Sequence, residues 1–80
     1  MSSQKEKLFG SVETAKMIGI EVHRLYGWER HGVVKPVLKY FCTRRFRRFS
    51  EEDVRRGRFV KRMVDEEGYT LITAVRKLEK

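Results

Sequence analysis

In the stretch Ser11 to Arg30, SVETAKMIGIEVHRLYGWER, His23, Arg24, Gly27 and Arg30 recur at spacings of three and four residues. These are types that meet a polyanion well. Arginine presents a planar fork of donors that matches phosphate oxygens or the O6 and N7 acceptors of guanine, and glycine lets a backbone come close to a partner. A second concentration follows in Lys39, Arg44, Arg45, Arg47 and Arg48, interleaved with Tyr40, Phe41, Phe46 and Phe49. No acidic residue lies between Glu29 and Glu51, so the positive charge gathers in that window. This is the chemistry of anion recognition.

Bond-making chemistry finds no such support. His23, His31 and Cys42 follow no zinc spacing, and structural zinc sites use four ligands. Nucleophilic catalysis through Cys42 needs a base and an orienting partner, and the sequence nominates neither. No glycine-rich phosphate loop is present. The expectation is no metal, no cofactor, no catalytic residue and no enzyme.

The 80 residues make one domain, and a chain of this length buries only about 60 to 65% of its unfolded surface, too little to wall a deep substrate cavity. The net charge of +8 concentrates phosphates around the chain, with nucleic acid the leading partner and an acidic membrane second. No apolar run approaches the roughly 20 residues of a transmembrane helix, and the start MSSQKEK lacks the apolar region of a secretory signal. A single cysteine excludes an internal disulfide. These features predict a cytoplasmic, nucleoid-associated protein with no membrane partner.

The elements that must position the charged residues can be read from periodicity. Residues 1–7 are polar and predict a flexible N-terminal segment, and residues 8–80 predict the folded domain, with Leu8 and Phe9 tucked against the first helix. Val12, Ala15 and Ile18 form the apolar stripe of that helix, capped by Gly10 or Ser11, and Gly19 takes the positive φ of a tight turn. In the second helix Val22, Leu25 and Trp28 repeat inward; Gly32 ends it and Pro36 prevents its return. From Val37 to Phe49 the period changes to that of a short hairpin, with a turn near Cys42 to Arg45 and its aromatic rings packed on the core. Ser50 with Glu51, Glu52 and Asp53 is a strong helix start, and Val54, Val60, Met63 and Val64 continue the stripe until Asp65 to Gly68 ends it. Thr70 caps a last helix with Leu71, Ala74, Val75 and Leu78 on one face.

The order of a helix-turn-helix, Trp28-Glu29-Arg30, Gly32-Val33-Val34-Lys35-Pro36 and Phe46-Arg47-Arg48-Phe49-Ser50, leading into an acid-capped helix, resembles the DNA-binding domain of the MerR family of bacterial transcription regulators. The likeness runs from about Phe9 to Leu78. It implies a mainly α fold with a small β-hairpin, a winged helix-turn-helix of about four helices. In that family the second helix enters the major groove and the arginine-bearing hairpin, the wing, grips the phosphate backbone. Glu21, Arg24, Tyr26 and Gly27 stand where the family usually has Ser, Thr, Arg and Tyr, and Gly57 replaces a usual Leu. The long helix through which family members pair is absent, so the resemblance implies a homodimer only through a region missing from this chain.

Setting Val22, Leu25 and Trp28 inward turns His23, Gly27 and Arg30 outward, with Arg24 at the border. With that helix in the major groove, as the resemblance implies, these positions put His23, Arg24 and Gly27 at base contacts. The same placement puts Tyr26 and Arg30 at the DNA backbone, together with Lys39, Arg44, Arg45, Arg47 and Arg48 of the wing, with double-stranded DNA as partner. Two other readings stay open: an RNA or single-strand binder that stacks bases on the hairpin aromatics, and an adaptor that holds protein partners with its helix-turn-helix.

Overall fold

The computed structural model describes residues 7–79. The predicted flexible segment therefore lies outside the described residues, Lys7 excepted. Helices α1 (Ser11–Ile18) and α2 (Val22–Arg30) precede an antiparallel hairpin of β1 (Val37–Phe41) and β2 (Arg44–Arg48), followed by α3 (Glu51–Lys61) and α4 (Leu71–Leu78). This is the winged helix-turn-helix the sequence predicts.

Local chemistry fixes each boundary. Gly19, at φ 95°, closes α1: its N–H and that of Ile20 both donate to the Ala15 carbonyl, at 2.8 and 3.0 Å. Gly32, at φ 83°, does the same for α2, where the N–H of Gly32 reaches Glu29 O and that of Val33 reaches Trp28 O. Both orphan carbonyls are thereby satisfied in a Schellman turn. Helix α3 begins with a capping box, the Ser50 hydroxyl accepting from Asp53 N–H while the Asp53 carboxylate accepts from Ser50 N–H. Thr70 caps α4 through its hydroxyl.

The hydrophobic core gathers Leu25 and Trp28 of α2, Ala15 and Ile18 of α1, Val54 and Val60 of α3, Ala74 of α4, Val33, Val34 and Phe49 from between the helices, and Phe9 from ahead of α1. Phe9 and Phe49 exchange two backbone hydrogen bonds of 2.8 Å, which tie the base of the wing to the strand entering α1. The buried face of α1 differs from the expected stripe. Val12 is 62% exposed, and Thr14 takes its place, with a buried hydroxyl that has no partner among the described residues. At about 100° per residue, Val12 stands 120° from Ile18, while Thr14 is one turn before it.

Three more expectations are corrected. The hairpin register pairs Phe41 with Arg44, leaving a turn of Cys42 and Thr43 alone, so Arg44 and Arg45 belong to β2. Cys42 supplies the positive φ, 57°, that such a turn needs and that Gly or Asn usually provides. Of the hairpin aromatics, Phe49 is buried, Tyr40 is 68% exposed and Phe46 lies half-buried between arginines; the Phe41 side chain lies outside what is described. Strand alternation explains this, because a two-stranded wing touches the core only at its base. Finally, α3 does not run on as an α-helix to Asp65. It widens into a π-helical turn, Arg62–Glu66, with Glu67 N–H bonded to Arg62 O, and ends at Gly68, φ 78°.

Gly57 shows why the usual leucine is missing from α3. A Cβ there would lie 2.3 Å from Ile18 Cδ1 and 2.9 Å from Ile18 Cγ1, so α1 and α3 cross in contact at this residue. Gly57→Ala gains about 1 kcal/mol of helix propensity but overpacks the crossing at about 1 to 3 kcal/mol. The net expected effect is a loss of stability. Ile18→Val removes the nearest atom, so it should cost less in the Gly57→Ala background than in the wild type. Denaturant unfolding of the four proteins measures both, and a Gly57→Ala variant more stable than wild type would contradict the crossing.

Candidate nucleic-acid interface

Helix α2 sits on the core through Leu25 and Trp28, and that seating dictates what faces out. His23, Gly27 and Arg30 follow one stripe at i, i+4 and i+7, with His23 and Arg30 exposed. A Cβ built on Gly27 meets nothing within 4 Å, so the backbone there is open to a partner. His23 Nε2 lies 3.2 Å from Glu21 Oε1 at the helix entrance. Arg30 makes no ion pair among the described residues.

Arg24, at the border of that stripe, has a specific environment. Its Nη2 donates to Asp65 Oδ1 at 2.8 Å and its Nη1 to Asp65 Oδ2 at 3.3 Å, an end-on bidentate pair. The guanidinium also lies over the Trp28 ring, 5.0 Å from its centroid. The π-helical turn after α3 thus provides the carboxylate that meets the first turn of α2. Arg24's hydrogen bonds hold the Asp65 carboxyl below its usual value; partial desolvation opposes them, and the charges of Arg24 and Lys61 add to the lowering.

The wing carries its cations on two faces, because strand residues alternate. Arg44, Phe46 and Arg48 share one face of β2 with Lys39 of β1 opposite Phe46, and the guanidinium groups of Arg44 and Arg48 lie 5.6 and 5.5 Å from the Phe46 ring centroid. Arg45 and Arg47 share the other face, opposite Tyr40 and Leu38. That second face meets α2: Arg47 Nε donates to Glu29 Oε1 at 2.8 Å and its guanidinium lies 5.0 Å from the centroid of Tyr26. Glu52 pairs with Arg55 within its own helix.

The structure therefore brings Tyr26 and Arg47 together, aligns His23, Gly27 and Arg30, and sends Arg24 to Asp65. Four residues that hold this surface were not singled out for the purpose in the sequence. Glu29 holds the wing and Asp65 holds Arg24. Asp53 accepts the N–H of Lys35 at 2.9 Å, and Arg56 donates to the carbonyls of Val33 and Gly32 at 2.8 and 3.0 Å. Only Asp53 carried a signal, as an acid in a helix cap; the other three act across 18 to 41 residues of chain. Cys42 is exposed at the wing tip, and among the described residues no three His, Cys, Asp or Glu side chains gather to hold a metal ion. No described helix is long and apolar enough to cross a membrane.

A family model described as MerR HTH family regulatory protein matches residues 11–80. No curated protein and no solved structure matches the chain.

The Arg24–Asp65 pair makes a pH-dependent contribution to stability. Because the folded-state carboxyl titrates below its unfolded value of about 3.9, the stabilisation is present above that value and is lost as pH falls through the lower folded one. Both side chains are about one-third exposed, so the contribution is held below about 1 kcal/mol by solvent. Urea unfolding of wild type and Asp65→Asn between pH 7 and pH 2 should show a constant wild-type margin at neutral pH that shrinks below about pH 4. A margin unchanged down to pH 2 would contradict the pairing.

Proposed function

The chain belongs to the MerR family of helix-turn-helix regulatory proteins, and on that premise we propose that it reads double-stranded DNA by sequence, as the DNA-binding module of a transcriptional regulator. Helix α2 enters the major groove, and the wing follows the phosphate backbone. The observation that carries this reading is the contact of Arg47 with both Glu29 and Tyr26, which joins the wing to α2 so that the outward stripe and the wing cations act as one surface.

Each residue takes a role from its place. His23 and Arg24, in the first turn of α2, reach base edges, and Gly27 lets the helix backbone lie close to the groove floor. Tyr26 on the flank of that line and Arg30 at its far end meet phosphates. Lys39, Arg44, Arg45 and Arg48 carry positive charge to the backbone from the wing. Arg47 sits at the junction; with Glu29 balancing its charge, it orients the wing more than it attracts phosphate. Phosphate contacts set register without reading sequence.

The exposed ring of Tyr40 beside the arginines supports a second reading, in which single-stranded nucleic acid stacks on the hairpin. Fluorescence anisotropy with labelled duplex, single strand and RNA at two salt concentrations separates the two. The duplex should bind most tightly and with steep salt dependence, whereas single-strand or RNA binding that exceeds duplex binding would overturn the proposal. On one duplex over a salt series, Arg44→Ala and Arg45→Ala should each lower the slope of log affinity against log salt by about 1, with base preference retained. Arg47→Ala should change the slope less. Slopes equal to wild type for Arg44→Ala and Arg45→Ala would remove the wing from the mechanism.

A further inference from the structure

We propose that Asp65, outside the helix-turn-helix, is a specificity-determining positioning residue: it holds the Arg24 guanidinium end-on so that its remaining edge faces the bases. This rests on the assignment of α2 to the groove. A guanidinium has five N–H donors in a fixed plane. Asp65 takes one from Nη1 and one from Nη2. The parallel Nε–H and second Nη2–H, on the side edge, have no partner among the described residues and present the geometry that meets O6 and N7 of a guanine.

Two further observations favour this arrangement over one in which Arg24 leaves Asp65 to bind DNA. The guanidinium also lies over the Trp28 ring, 5.0 Å from its centroid, so a carboxylate and a ring hold it before any partner arrives. Ordering a free arginine on binding costs rotamer entropy, and here that ordering is done on folding. Charge points the same way. If Arg24 swung away, the Asp65 carboxylate would face a polyanion without its main partner, which like-charge repulsion disfavours. Asp65 also stands in the π-helical turn, an insertion into a helical run that places its carboxylate against a helix 41 residues earlier in the chain.

The test is selection of bound duplexes from a random pool, with sequencing, by the full chain as wild type, Arg24→Ala, Asp65→Ala, Asp65→Asn, Asp65→Glu and Arg24→Ala/Asp65→Ala. Arg24→Ala identifies the base pair that Arg24 reads. Asp65→Ala and Asp65→Asn should lower guanine discrimination at that same base pair by about 5-fold or more, within the span one bidentate contact supplies, and leave the other positions unchanged. Asp65→Glu should restore part of it. The double variant should discriminate no worse there than Arg24→Ala, and should bind scrambled duplex more tightly than Arg24→Ala because the uncovered carboxylate is gone. Full discrimination in Asp65→Ala at the base pair that Arg24→Ala loses would overturn this inference and leave the reading of α2 intact. A uniform loss at all positions with a lowered Tm would make Asp65 merely structural and overturn it too. If Arg24→Ala loses no preference while wild type still selects a sequence, the base contact of Arg24 falls together with this inference; if wild type selects no duplex, the proposed function itself falls.

Discussion

A carboxylate taken out of water must find donors, and Asp53, 5% exposed, finds them in two places. Its Oδ2 accepts Ser50 N–H and caps α3, and its Oδ1 accepts Lys35 N–H from the segment leaving α2. One buried side chain therefore ties the start of α3 to the segment that leaves α2. Arg56, one turn further along α3, adds the carbonyls of Gly32 and Val33. Those carbonyls follow the α2 terminus, where acceptors would otherwise depend on water. The end of α2 is thus fixed by hydrogen bonds whose loss would leave buried polar groups unpaired, at about 1 to 3 kcal/mol each.

From that anchor the surface is assembled by charge pairs that remain near solvent. Asp65 fixes Arg24 at the entrance of α2 and Glu29 fixes Arg47 beside its last turn, at 2.8 Å in both cases. Exposed pairs of this kind contribute little stability. Their consequence is geometric: each orients an arginine on the surface shared by α2 and the wing, and each sets a cation against a carboxylate that would otherwise stand alone there. The remaining cations of the wing are left to set the field. The division is between buried interactions that hold the helices and exposed ones that aim them.

The sequence showed most of the frame because its signals are local. Gly19 and Gly32 at positive φ, the Ser50–Asp53 capping box and the spacing of Leu25 and Trp28 all act within one or two turns, and all are where their residue types say they should be. Val12 misled because a three-residue spacing drifts around the helix, and only packing against α3 decides which edge of the stripe is buried. The wing turn was misplaced because Cys42 holds a positive φ without being Gly or Asn. The spacing of Phe46 matches that of a core ring, yet strand alternation turns it to the face of the wing opposite the one that meets α2. In the candidate site, the outward stripe of α2 was legible from periodicity. The partners of Arg24 and Arg47 were not, since nothing local marks Asp65 or Glu29 as the carboxylate each would find.

Titration of the ¹⁵N-labelled chain with duplex DNA, followed by amide chemical shifts, tests most directly whether α2 and the wing form one DNA-binding surface. The largest changes should fall at His23, Gly27 and Arg30 and along Arg44 to Arg48, appearing together over the same range of added duplex. The face of α4 around the exposed Ile72 should remain still. Changes centred on α4, or confined to the wing while α2 is unmoved, would contradict it.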